Sequence, residues 1–87
     1  MEKQHGRDMA NLGGGIQKQR KALGLSQQQL ATFAGCGKLF VVNVENGKET
    51  IRMDKLLDVL KVLGLQLKLQ SGKEVIAIEG KIINAGG

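Results

Sequence analysis

Glycine punctuates this chain at four places, and that punctuation limits the possible folds more than any other feature. Gly24, Gly35, Gly47 and Gly64 each follow a stretch whose apolar residues fit helical spacing, and a glycine just past the last periodic residue is a common helix stop. Four helices are therefore expected. The first is read from Asp8, as cap, to Leu23, with Met9, Leu12, Ile16 and Leu23 on one side and Lys18, Arg20 and Lys21 in its last turns, where the helix dipole favours positive charge. The run Gly13 to Gly15 opposes this, because each interior glycine costs about 1 kcal/mol relative to Ala. Regular helix is then expected only from near Ile16.

Ser26 followed by Gln29 is a capping box that opens a second helix ending at Ala34. A third segment runs from Gly37 or Lys38 to Asn46. The fourth, Met53 to Leu63, places Met53, Leu56, Leu57, Leu60 and Leu63 at i, i+3, i+4, i+7 and i+10, one stripe of an amphipathic helix. After Gly64 the period becomes two. Leu65, Leu67 and Leu69 alternate with Gln66, Lys68 and Gln70, as in a half-buried strand, and Ser71-Gly72 supports a turn into a second strand over Glu74 to Ile78. A lone two-stranded hairpin is marginally stable, and 87 residues enclose only a small core. A second copy of the 65–70 strand is an expected partner. The chain thus reads as a leader over 1–7, a helical domain over 8–64, a strand or hairpin over 65–80 and a frayed tail over 81–87.

Composition narrows the function. A formal net charge of +5 favours a polyanion as partner. With no Trp or Tyr and two Phe, the aromatic platforms on which single-stranded nucleic acid stacks are missing. The one cysteine, Cys36, has no partner for an internal disulfide and no histidine near it in sequence for a metal site; no cofactor or metal is expected. The single histidine, His5, lies in the polar leader, and no Ser/His/Asp or paired-carboxylate arrangement is present, so an enzyme is not expected. No apolar run approaches the roughly 20 residues of a membrane span and the N-terminus lacks a signal-peptide core. A cytoplasmic, soluble protein is the expectation.

The stretch LFVVNV, residues 39–44, looks at first like a buried strand. As a strand it would be apolar on both faces and need cover on both, which two short helices do not supply. As a helix it sets Phe40, Val41 and Val44 within an arc of about 100° and spreads Lys38, Leu39, Val42, Asn43 and Asn46 over the other side. The capped helix before it, the AGCG turn and the ENGK stop favour the helix. Two short helices about a glycine turn make a helix-turn-helix.

The segment GLSQQQLATFAGCGKLFVVNVENGK, residues 24–48, resembles the helix-turn-helix of phage-repressor-like (XRE-type, lambda-repressor-like) transcriptional regulators. Ala31 and Gly35 stand where that motif needs small residues, Leu30, Ala34, Val41 and Val44 at its core places, and Cys36 in a turn position usually held by a small apolar residue. With TIRMDKLLDVLKVLGLQLKL after it, the likeness extends over about residues 9–70 to HipB-like antitoxins. The resemblance implies a mainly α fold, a small helical bundle followed by a C-terminal strand or hairpin pairing across a dimer through Leu65, Leu67 and Leu69. It implies a homodimeric repressor bound to a palindromic double-stranded operator, acting as antitoxin to a HipA-like kinase toxin.

The same resemblance assigns the base-reading face to Lys38, Leu39, Val42 and Asn43, and phosphate contacts to Gln27, Asn46 and Lys48. Ser26 and Gln27 also stand at a helix N-terminus, which favours a phosphate as well as making Ser26 a cap, and Gln28 beside them is a further candidate. Arg20 and Glu45 become a structural pair. Lys38 can donate to guanine and Asn43 can pair with adenine, whereas Leu39 and Val42, where related repressors usually carry polar residues, can offer only apolar contact with thymine methyl groups. An apolar face also suits docking of a protein, and Lys48, Arg52 and Lys55 also suit a solvated surface. Three readings remain open here: the antitoxin repressor, a phage-type repressor without a toxin, and a protein-interaction module on the same scaffold.

Overall fold

Four helices are followed by a short antiparallel pair of strands: α1 (Gln4–Ala22), α2 (Gln27–Ala34), α3 (Lys38–Glu45), α4 (Met53–Leu63), β1 (Gln66–Lys68) and β2 (Ala77–Glu79). The structure is a computed structural model and describes residues 4–68 and 77–79. All four helices end as the glycines require. Gly24, Gly35, Gly47 and Gly64 have φ between 71° and 80°, the left-handed region that reverses the chain. At each, the N–H of the following residue donates five residues back, Leu25 to Arg20, Cys36 to Ala31, Lys48 to Asn43 and Leu65 to Leu60, at 2.9 to 3.1 Å. These are four Schellman closures. Three of the four residues so placed, Leu25, Cys36 and Leu65, are apolar and join or pack on the core.

The expected start of α1 is corrected. The helix begins at Gln4 and runs unbroken through Gly13, Gly14 and Gly15. Asp8 is not its cap but lies within it, 4% exposed. Packing explains Gly13: a Cβ there would collide with the carbonyl oxygen of Val44 and stand 2.8 Å from that of Glu45. The bare backbone of α1 thus lets the C-terminal end of α3 lie directly against it. On the same surface, a Cβ on Gly47 would sit 3.2 Å from the Cα of Ala10. Propensity alone opposed a helix here, and tertiary contact overrides it.

The core takes Leu12 and Ile16 from α1, Leu30, Ala31 and Ala34 from α2, Val41 and Val44 from α3, and Leu56, Val59, Leu60 and Leu63 from α4, with Leu65 beneath. Two expectations of inward-facing residues fail. Leu23 lies in the turn after α1 and is 50% exposed, and on α4 Met53 and Leu57 face outward while Val59 takes the inward place. LFVVNV is helical, as its flanks indicated.

β1 finds its partner within the chain, pairing with β2 in the register Gln66 to Glu79, Leu67 to Ile78 and Lys68 to Ala77. Gln66 and Lys68 are exposed and Leu67 is half-buried, so the period-two reading holds over these residues. Leu69, the turn at Ser71-Gly72, the start of the second strand at 74–76, residues 1–3 and the tail at 81–87 lie outside the described residues. Among the described residues no helix is long and apolar enough to cross a membrane.

Candidate nucleic-acid interface

α3 sorts its side chains into two sets. Val41 and Val44 are each 1% exposed and Glu45 is buried with them, while Phe40 is half-buried. On the other side Lys38 and Leu39 are exposed and Val42 and Asn43 partly so. The four residues expected to read bases therefore share one outward face. Asn46 and Lys48, just past the helix, are exposed as well. No side chain caps α3; Gly37 precedes it in extended conformation, and Gly37, Lys38 and Leu39 are all exposed.

The N-terminus of α2 is built by the expected capping box. The Gln29 N–H donates to Ser26 Oγ at 3.0 Å, and the Ser26 N–H donates to Gln29 Oε1 at 2.8 Å. The first-turn N–H groups of Gln27 and Gln28 have no intrahelical acceptor, and the positive end of the helix dipole lies with them. Such a terminus favours an anion. The Gln28 carboxamide donates to Thr32 Oγ1 at 3.3 Å on the exposed side of the helix.

A buried carboxylate fixes α2 and α3 relative to each other. Glu45 accepts from Arg20 Nε at 2.6 Å and Nη2 at 3.0 Å, from Gln27 Nε2 at 3.0 Å and from Gln17 Nε2 at 3.3 Å. Arg20 Nη1 also donates to the Leu25 carbonyl at 2.8 Å. Glu45 and Arg20 thereby tie together α1, the turn after it, the first residue of α2 and the last of α3. Burial would push the Glu45 carboxyl up, but the hydrogen bonds from Arg20 and Gln27 and the guanidinium charge hold it below the ordinary carboxylate range. The bond to Glu45 in turn raises Arg20 despite its own burial. The structural pairing of Arg20 with Glu45 is as expected. Gln27 has a role that was not foreseen, since its side-chain amide nitrogen serves this frame.

Further bonds hold α4 in place. Lys55 Nζ donates to the Gly35 carbonyl at 3.2 Å and Gln19 Nε2 to the Leu63 carbonyl at 3.0 Å. Arg52 pairs with Asp54 at 2.7 Å, both exposed; its guanidinium holds the Asp54 carboxyl below its ordinary value. Lys55 and Arg52 thus bond within the fold, whereas among the described residues neither Lys38 nor Lys48 forms an ion pair. Burial raises the Cys36 thiol, opposed by the charge of Lys55. A raised thiol is the opposite of a reactive thiolate, and Cys36 packs on the core. Among the described residues no three His, Cys, Asp or Glu side chains come together as a metal site would need.

Sequence reasoning missed Gly13 and Gln17 as parts of this frame. A run of glycines inside a helical pattern was the available signal for Gly13; Gln17 carried none.

A protein-family model described as "Helix-turn-helix" matches residues 16–69. The uncharacterized HTH-type transcriptional regulator y4mF of Sinorhizobium fredii is 38% identical over 60 residues, which cover 69% of this chain and 79% of that protein. Among solved structures, the restriction-modification controller protein C.AhdI from Aeromonas hydrophila is similar with a TM-score of 0.62 at 30% identity, over 68% of this chain and 86% of that one.

Proposed function

Because the chain belongs to the helix-turn-helix family of DNA-binding transcriptional regulators, we propose that it is a sequence-specific repressor that binds a palindromic duplex as a homodimer. α3 enters the major groove. Lys38 donates to guanine O6 or N7, Asn43 pairs with adenine, and Leu39 and Val42 fill the apolar part of the groove wall between them. Ser26, Gln27 and Gln28 take a phosphate at the N-terminus of α2, the two glutamines through their backbone N–H groups. Asn46 and Lys48 hold phosphates at the far end of α3. The observation that carries this reading is the juxtaposition: an outward α3 face free of ion pairs among the described residues, locked through Glu45 to an open helix N-terminus.

The second subunit adds its C-terminal strand. β1 uses one edge for β2, and its other edge is the place for the same strand of a second copy, with the half-buried Leu67 packed across the two-fold axis. An unpaired strand edge invites such pairing. The likeness to HipB-like antitoxins adds a further partner, a HipA-like kinase toxin, and makes the operator the promoter of their shared operon. Co-expression with a HipA-like kinase encoded beside this gene is expected to yield a stable complex. With no such neighbour, or no complex, the chain is a phage-type repressor acting alone.

One observation favours a different reading, a protein-docking module: Leu39, 69% exposed, is the most exposed large apolar residue among those described. Selection of bound duplexes from a random library of about 30 base pairs separates the two, because that length spans half-sites one helical turn apart. Enrichment of a palindrome, lost on combining Lys38→Ala with Asn43→Ala, is the expected result. Absence of any preferred sequence, with the protein folded, would leave the face to a protein partner.

A further inference from the structure

We propose that α3 reads the C5-methyl group of pyrimidines, so that 5-methylcytosine is accepted in place of thymine while cytosine and uracil bind more weakly. The inference rests on the DNA-binding reading above and names what that face recognises. Leu39 is 69% exposed and Val42 partly exposed, and at i and i+3 they are neighbours on one side of α3. Lys38 and Asn43 flank them. Neither apolar side chain has a hydrogen-bond donor or acceptor, so neither can distinguish bases by their polar edges. In the major groove thymine shows an O4 acceptor beside its methyl group, cytosine an N4 donor and the purines polar atoms only. The C5 methyl is the one apolar group available to Leu39 and Val42. A side chain with no polar atom meets that methyl equally well whether O4 or N4 stands next to it, so a 5-methylcytosine–guanine pair substitutes there for thymine–adenine. Cytosine methylation within the operator then becomes something the protein senses.

The test uses the whole chain and the duplex recovered by selection. Each thymine is replaced in turn by deoxyuridine, which removes the methyl and changes no hydrogen bond, and then by cytosine or 5-methylcytosine opposite guanine. Loss of each contacted methyl is expected to weaken binding about fourfold, the scale of exposing one carbon group. At the same positions 5-methylcytosine recovers what cytosine loses. Leu39→Ala, which truncates an exposed side chain and leaves the core intact, is expected to shrink the difference between thymine and deoxyuridine at its position. Equal binding of the thymine and deoxyuridine duplexes by the unaltered protein would overturn the inference and leave the repressor reading standing, as would undiminished discrimination in both Leu39→Ala and Val42→Ala. Failure of the selection to yield any preferred duplex would overturn both.

Discussion

Single residues decide how tightly α3 is held. Gly13 and Gly14 are neighbours with opposite constraints: a Cβ on Gly13 would strike the backbone of Val44 and Glu45, whereas one on Gly14 would meet nothing within 4 Å. Gly14→Ala is accordingly expected to stabilise the fold by about 1 kcal/mol through helix propensity, and Gly13→Ala to destabilise it by about 1 to 3 kcal/mol through overpacking. Urea denaturation of the two variants checks this; destabilisation by Gly14→Ala would show that α1 does not run through the glycines. From sequence the two glycines are indistinguishable, because their difference lies in what packs against them. Arg20 with Glu45 was legible only through resemblance, since no local pattern joins residues so far apart in the chain. Their pairing has a pH signature. The folded state depresses the Glu45 carboxyl, so its contribution is fully present above the unfolded glutamate value of about 4.3 and is lost as pH falls through the lower folded value. Stability measured from pH 7 downward is expected to fall in that acid range, and Glu45→Gln, while less stable throughout because Arg20 stays buried and charged, is expected to lose that part of the pH dependence. An unchanged acid profile in the variant would show that other carboxyls set it.

At the scale of elements, the ends of the helices were legible and their faces less so. Glycine in the left-handed region is a local requirement, written at the position where it acts, and all four expected stops are where the helices end. A capping box is likewise local, and Ser26 with Gln29 forms one. Which stripe of α4 turns inward is not local. Met53, Leu56, Leu57, Leu60 and Leu63 fit helical spacing as well as Leu56, Val59, Leu60 and Leu63 do, and the choice depends on where α2 lies. The consequence is measurable. Leu60→Ala is expected to cost about 2 to 5 kcal/mol, the range for deleting a buried leucine side chain, because Leu60 is 2% exposed. Leu57→Ala removes the same atoms from a side chain 43% exposed and is expected to cost under about 1 kcal/mol in the monomer. A large loss at Leu57 that shrinks on dilution would instead place Leu57 in contact with a second subunit.

The whole molecule carries a net charge of +5, and the fold determines how much of that charge is available to a duplex. Composition pointed to a polyanion, but only the structure separates cations engaged within the fold from the others. Arg20 is buried against Glu45, Arg52 pairs with Asp54 and Lys55 reaches the Gly35 carbonyl. Lys48 is exposed and forms no ion pair among the described residues. It stands at the end of α3 opposite Lys38, where the proposed docking puts a phosphate. Each lysine that neutralises a phosphate releases condensed counterions and adds about 0.9 to the slope of log K against log salt. In a dimer Lys48→Ala is therefore expected to flatten that slope by roughly 2 and to weaken binding to all duplexes alike. Asn43→Ala is expected to do the opposite: to leave the slope unchanged, to cost about 1 to 3 kcal/mol per half-site on the selected duplex and to relax the preference at its adenine. Titrations of both variants at several salt concentrations, on the selected and on a scrambled duplex, read the two effects independently. A sequence-dependent loss from Lys48→Ala, or a change of slope from Asn43→Ala, would mean that α3 lies in the groove in another orientation, with the end carrying Lys48 nearer the bases.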